Sequence, residues 1–207
     1  MYSYIKGDLE EKSNGFVVID NNGIGYKIFM SNMSIGRLGE LHSKVKVFTY
    51  YQVREDNISL YGFNTKEELR MFELLISVSG IGSKSAINML SNIEASNFAI
   101  AVVSNDIKKI SSIKGIGNKT AQRIVLELKD KLKTEQELTN IEEINEVIEE
   151  EASSNDAVIA LQMLGYNNKD IEKVLKKIDK NIISTEEIIK ESLKILSNSY
   201  KWFVIII

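Results

Sequence analysis

From residue 2 to residue 63 the chain carries short runs in which apolar and polar positions alternate, the two-residue period of strands. Phe16-Val17-Val18-Ile19-Asp20 and Gly25-Tyr26-Lys27-Ile28-Phe29 flank Asn21-Asn22-Gly23, a turn signal between β-rich runs that predicts a hairpin. Val45-Lys46-Val47-Phe48-Thr49-Tyr50 alternates and is rich in β-branched and aromatic residues. Ile58-Ser59-Leu60-Tyr61-Gly62-Phe63 follows after a polar break at Arg54-Glu55-Asp56-Asn57. About five short strands in so small a segment suit a small barrel or rolled sheet, since an open sheet of that size leaves its edges unprotected.

At Thr65 the period changes. Leu69, Phe72, Leu75 and Ile76 recur at helical spacing behind Thr65-Lys66-Glu67-Glu68, a helix-start signature. Short helices separated by glycine loops continue to about Lys133. Residues 135–154 hold eight acidic and no basic side chains, which predicts a flexible or partly helical linker. Beyond it come three apolar stripes: Ala157, Ala160, Leu161, Leu164; then Ile171, Val174, Leu175, Ile178; then Ile188, Ile189, Leu193, Leu196. Gly165-Tyr166-Asn167-Asn168 ends the first. These predict a three-helix bundle near the minimum size for independent stability. The expected division is a barrel over 1–64, a helical domain over 65–134, an acidic linker over 135–154 and a three-helix domain with an apolar tail over 155–207.

Composition narrows the chemistry. Among 207 residues there is no cysteine, no proline and one histidine, His42. That excludes a disulfide scaffold, a thiolate metal site, a cysteine nucleophile and any site needing two imidazoles. His42 is expected in a barrel loop. No metal and no cofactor is expected. The opening Met1-Tyr2-Ser3-Tyr4-Ile5-Lys6 lacks the charged-then-apolar layout of a secretory signal. No apolar run exceeds six residues, the length of Trp202 to Ile207, far short of the roughly 20 that span a bilayer. The expectation is a cytoplasmic protein with no membrane partner, its apolar tail packed on the bundle or on an oligomer partner.

The net charge of −3 conceals an asymmetry. Residues 65–134 carry 11 basic and 7 acidic side chains, net +4, whereas the acidic segment is net −8. A basic face is therefore expected in the second segment despite an acidic whole.

That segment contains an internal repeat. Val78-Ser79-Gly80-Ile81-Gly82-Ser83-Lys84-Ser85-Ala86 recurs 35 residues later as Ile113-Lys114-Gly115-Ile116-Gly117-Asn118-Lys119-Thr120-Ala121. Each copy joins one helix to the next. The glycines let the backbone turn sharply and approach a ligand. The loop runs into a helix N-terminus, whose unpaired N–H groups and positive dipole end attract an anion. Lys84 and Lys119 add charge; Ser85 and Thr120 add hydroxyl donors. Two such loops could hold two phosphates of a nucleic-acid backbone, reading shape rather than bases. A plain helix connector is the bland alternative. A nucleotide P-loop is another, but Ser83 and Asn118 stand where its second glycine is required.

The repeat is a helix-hairpin-helix motif. With Val53-Arg54-Glu55-Asp56, Leu60-Tyr61-Gly62-Phe63, Gly115 to Arg123 and Ala160-Leu161-Gln162-Met163-Leu164-Gly165-Tyr166, the layout resembles the RuvA family of Holliday-junction-binding subunits from residue 1 to about 197. The resemblance implies a multidomain α+β protein: an N-terminal OB-fold β-barrel, a central tandem helix-hairpin-helix domain, an acidic linker and a C-terminal UBA-like three-helix bundle. It implies a non-catalytic subunit that binds four-way junction DNA in recombination and repair. Its partners would be the hexameric ATPase RuvB, which the tail bundle would recruit for branch migration, and the resolvase RuvC. A homotetramer is implied, alone or as two stacked tetramers. The DNA-backbone residues so implied are Gly80, Gly82, Ser83, Lys84, Ser85, Gly115, Gly117, Asn118, Lys119, Thr120, Arg123 and Arg54. Ser83 and Lys114 stand where the family often has proline, and Asn118-Lys119 where a basic pair is common. A somewhat weaker grip on DNA is the consequence.

Glu55 and Asp56, taken alone, read as a solvated turn. A nuclease metal site would need more converging carboxylates than one adjacent pair. The resemblance makes them an acidic pin at the tetramer centre, repelling the phosphates of a continuous duplex. Leu161, Leu164 and Tyr166, otherwise bundle core, become candidate partner-binding residues. Two other classes stay open: a DNA-binding accessory subunit of a repair nuclease or ligase assembly, and a protein adaptor acting through its tail.

Overall fold

The computed structural model describes residues 2–138, 152–178 and 184–201, and the chain divides into two compact units, Met1–Ala95 and Ser96–Ile207. The first unit opens with β1 (Tyr4–Ser13), β2 (Phe16–Asn21) and β3 (Ile24–Phe29), a meander in which Asn21 pairs with Ile24 across Asn22-Gly23. Both turn residues take positive φ, 53° and 85°, the two-residue geometry expected of Asn-Gly because its twist matches that of the strands. After a short helix α1 (Asn32–Gly36) come β4 (Lys44–Val53) and β5 (Ile58–Phe63), an antiparallel pair. The barrel closes in the order β1-β2-β3-β5-β4, with β1 against β4 and a parallel contact of Phe29 with Tyr61. Closure is thus observed, with the β3–β5 seam held by that one residue pair and the other seams by longer ladders.

Alternation decides what fills the barrel. Ile5, Leu9, Val17, Ile19, Ile28, Val45, Val47 and Leu60 point inward and are buried. The motif Leu60-Tyr61-Gly62-Phe63 gains a structural meaning here. Leu60 and Gly62 face the interior, and Tyr61 and Phe63 face α2 (Lys66–Ile76). There Phe72, fully buried, meets Phe63, Tyr61 and Tyr50 with ring centroids 4.9, 5.3 and 5.3 Å away. A Cβ on Gly62 would lie 2.5 Å from Ile28 Cγ2 and 2.6 Å from Val47 Cγ1. Gly62→Ala is therefore expected to destabilise the protein by about 1–3 kcal/mol through overpacking, read as a lower denaturant midpoint. An unchanged midpoint would mean that the barrel interior has slack.

The start of α2 follows the Thr65 signature with one change. Thr65 Oγ1 accepts from the Glu68 N–H at 3.2 Å, but the Glu68 carboxylate accepts from the N–H of Asn64 (3.0 Å) and the hydroxyl of Ser34 (3.0 Å). With Asn64 Nδ2 donating to the Ser34 carbonyl at 2.8 Å, α1 is tied to the strand–helix junction. Helix α1 was not anticipated, because five residues show too little periodicity; Ser31 caps it, accepting from the Ser34 N–H at 3.0 Å.

After α2 comes α3 (Ser83–Leu90), then α4 (Ala95–Val103). In the second unit α5 (Ile107–Ser111) and α6 (Asn118–Leu138) follow. Helix α6 runs four residues past the expected boundary at 134. Most of the acidic segment, residues 139–151, lies outside the described residues, as does the apolar ending 202–207. The tail consists of α7 (Ala152–Met163), α8 (Asn168–Leu175) and α9 (Thr185–Lys201), α7 and α8 each packing on α9. Gly165, at φ 88°, ends α7, and the Asn167 side chain caps α8 by accepting from the Asp170 N–H at 2.9 Å. This is the break that Gly165-Tyr166-Asn167-Asn168 predicts. Among the described residues no single helix is long and apolar enough to cross a membrane.

Candidate nucleic-acid interface

The two copies of the repeat adopt the same local geometry. In the first, Ile81 N–H donates to the Val78 carbonyl at 3.1 Å; in the second, Ile116 N–H donates to the Ile113 carbonyl at 2.9 Å. The third residue of each turn is glycine at positive φ, Gly80 at 81° and Gly115 at 90°. An L-residue with a Cβ rarely adopts that conformation, so the turn requires glycine there. Val78, Ile81, Ile113 and Ile116 are 2 to 6% exposed and pin each loop to its own core. Each isoleucine burial is worth roughly 1.5–3 kcal/mol, enough to hold a loop in one conformation.

The helices then begin alike. Ala86 N–H donates to the Gly82 carbonyl at 3.0 Å, and Ala121 N–H to the Gly117 carbonyl at 2.9 Å, so Gly82 and Gly117 hold the capping positions. At α1, α2, α5 and α8 a side-chain oxygen of Ser31, Thr65, Asp106 or Asn167 caps the first turn. Gly82 has no such atom, and α3 has no side-chain cap. Its first N–H groups are thereby left to water or to an anion. Nothing lies within 4 Å of a Cβ built on Gly82, Gly115 or Gly117, so a ligand can approach all three.

The side chains around the loops differ between copies. Lys84 is exposed and Ser85 half-buried; Lys119 is exposed and Thr120 half-buried. Arg123, one turn beyond Lys119 on α6, is also exposed. Ser83, offered as a contact residue, is 4% exposed and its hydroxyl makes no hydrogen bond, whereas its counterpart Asn118 faces solvent. The Ser83 side chain thus belongs to the packing of α3 rather than to a surface. The first copy brings one exposed lysine to its loop. The second brings Lys119 and Arg123, with exposed Lys108 and Lys109 on the helix before it. That Lys-Lys pair was not singled out in the sequence, though its place ahead of the hairpin was the available signal. Lys129 is occupied otherwise: its Nζ donates to the Val103 carbonyl at 2.8 Å and to Asn105 Oδ1 at 3.1 Å, bracing α6 against the α4–α5 loop.

Arg54, Glu55 and Asp56 form the tip of the β4–β5 hairpin. Val53 pairs with Ile58 beneath them, and Arg54 N–H donates to the Asn57 carbonyl at 2.9 Å, closing a four-residue turn. All three side chains are exposed. Because β5 leads into the Phe72 cluster, this tip belongs to the same compact unit as α2 and α3. In the tail, Leu161 and Leu164 are 0% and 3% exposed, inside the bundle. They are core residues and present no surface; Tyr166, half-buried, is the member of that trio a partner could reach. His42 lies in the loop before β4 at φ 65°, its N–H donating to the Leu9 carbonyl at 2.7 Å and its Nδ1 3.5 Å from Glu10 Oε2.

A closed five-stranded barrel followed by paired helix-hairpin-helix turns and a small helical tail defines a modular protein of the nucleic-acid-binding class. Family models agree segment by segment: the RuvA N terminal domain over residues 1–62, a SAM-like helix-hairpin-helix tandem over 72–130, and the RuvA C-terminal domain over 152–197. The chain is 48% identical to the Holliday junction branch migration complex subunit RuvA of Acetivibrio thermocellus over 197 residues, 94% of this chain and 98% of that one. It is 46% identical over 200 residues to the RuvA of Ruminiclostridium cellulolyticum (95% and 100% covered) and to that of Clostridium perfringens strain SM101 (95% and 99%). The chain belongs to the RuvA family.

Proposed function

We propose that this chain binds four-way DNA junctions as the junction-recognising subunit of a branch-migration assembly. The observation that carries the reading is the in-register repetition of one hairpin geometry: a buried isoleucine, a positive-φ glycine, an open capping glycine and an exposed lysine, twice. Backbone N–H groups and Lys84 and Lys119 meet phosphates, Ser85 and Thr120 add hydroxyls, and Arg123 and Arg54 extend the contact. None of these groups reads a base edge, so recognition is of shape.

Junction preference over duplex comes from the hairpin tip. Glu55 and Asp56 are exposed, form no ion pair among the described residues, and repel phosphates that would cross above them. In a homotetramer four tips surround one axis, where an opened junction has a hole and a continuous duplex does not. The relatives' shared name, a branch migration complex subunit, supports a motor partner. The tail bundle serves to recruit it, RuvB in this family, with Tyr166 as the reachable aromatic contact, while RuvC acts on the same junction. The chain itself performs no catalysis in this scheme.

Competition between a four-way junction and linear duplex of equal length, in buffer without magnesium, tests the proposal. The junction is expected to compete at least about 100-fold better, a difference of about 2.7 kcal/mol. Equal competition would leave a general helix-hairpin-helix accessory subunit instead.

A further inference from the structure

On the outer face of the barrel, β1 and β4 run side by side with Tyr4 opposite Phe48, Lys6 opposite Lys46, and Asp8 opposite Lys44. The last pair is an ion pair, with Lys44 Nζ 2.6 Å from Asp8 Oδ2. The pair beside it consists of two lysines, and like charges directly opposite each other destabilise a sheet. Among the described residues no carboxylate comes within ion-pair distance of Lys6, Lys46 or Lys66. Instead, the Lys46 ammonium sits 4.3 Å from the ring centre of Tyr4 and 5.2 Å from that of Phe48, and the Lys66 ammonium lies 6.0 Å from Phe48. Tyr4 is 51% exposed. The rings attract the cations and hold them in place without neutralising them. The result is a cationic patch whose charge is unmatched, next along the same face to a matched pair.

We propose that this β1–β4 face binds the phosphate backbone of DNA as a contact separate from the glycine hairpins, through Lys6 and Lys46 with Lys66 at its margin. A polyanion relieves the repulsion that the fold alone leaves in place, and three ammonium groups, two of them (Lys46 and Lys66) beside aromatic rings, suit successive phosphates. The inference deepens the junction-binding reading. It extends contact to a DNA arm or a separated strand lying on the barrel.

The test is the K6Q/K46Q variant of the full chain, titrated with a four-way junction, a linear duplex and a single-stranded oligothymidylate across a salt series. K84A/K119A is measured in parallel. Loss of two phosphate contacts per chain is expected to lower the slope of log K against log salt by about 1.8, at about 0.9 per contact on duplex. The melting temperature should stay the same or rise, since like-charge repulsion is removed. A larger loss on duplex and junction than on oligothymidylate assigns the patch to a paired arm; the reverse assigns it to a single strand. An unchanged slope for all three nucleic acids overturns the proposal. So does a drop in particle mass by light scattering, which would make this face a contact between copies of the chain. Should K84A/K119A leave the slope unchanged while K6Q/K46Q lowers it, the hairpin reading fails and the barrel face stands.

Discussion

The K84A/K119A variant is expected to bind both junction and duplex about tenfold more weakly or worse at moderate salt, with the salt slope reduced by about 1.8 per chain. A charge-assisted hydrogen bond is worth about 1.5–3 kcal/mol, and in the proposed reading each lysine would supply one at a site where N–H groups already favour an anion. The fold should be unaffected, because both side chains are exposed and neither touches the core. The loss should also be uniform across DNA sequences, since phosphate contacts carry no base information. Anisotropy titrations at several salt concentrations measure all of this. A slope that does not move would show that these lysines do not touch the backbone, and the paired-hairpin reading would fall with them.

The acidic tip makes the opposite kind of prediction. Glu55→Gln with Asp56→Asn should raise affinity for continuous duplex by about tenfold while changing junction affinity far less. A carboxylate 4 Å from a phosphate costs about 1 kcal/mol even at the dielectric of water, and two residues act per chain. Part of that is screened at physiological salt, so the gain should be larger at low ionic strength. The variant keeps the turn, because the Arg54–Asn57 hydrogen bond that closes it is between backbone atoms. The ratio of the two affinities is the quantity to follow. An unchanged ratio would reduce Glu55 and Asp56 to a solvated turn.

Comparison of these two sites shows where local chemistry suffices. The hairpins were legible because every part of their geometry lies within nine residues, Val78 to Ala86 and Ile113 to Ala121. Gly80 and Gly115 supply the left-handed conformation, the isoleucines anchor and the helix follows at once. Ser83 is the instructive exception. Its position in the motif matched a ligand contact, but the packing of α3 turned its side chain inward. Leu161 and Leu164 went the same way. In a short bundle the apolar stripe is consumed by the core, and only burial distinguishes core from docking residue.

The sequence by itself determined the elements and the turns. Two-residue alternation set the strands, Asn22-Gly23 the hairpin, Thr65 and Asn167 the helix starts, and the repeated glycines the two loops, because each depends on φ/ψ preferences and on neighbours a few positions away. Only the tertiary structure decided the closure of β1 on β4, the convergence of Tyr50, Tyr61 and Phe63 on Phe72, and the placing of Lys6 against Lys46. Those depend on register between segments distant in the chain. A strand's period is two, so a slip of one residue in either strand would have turned its lysine into the barrel and brought different side chains to the surface.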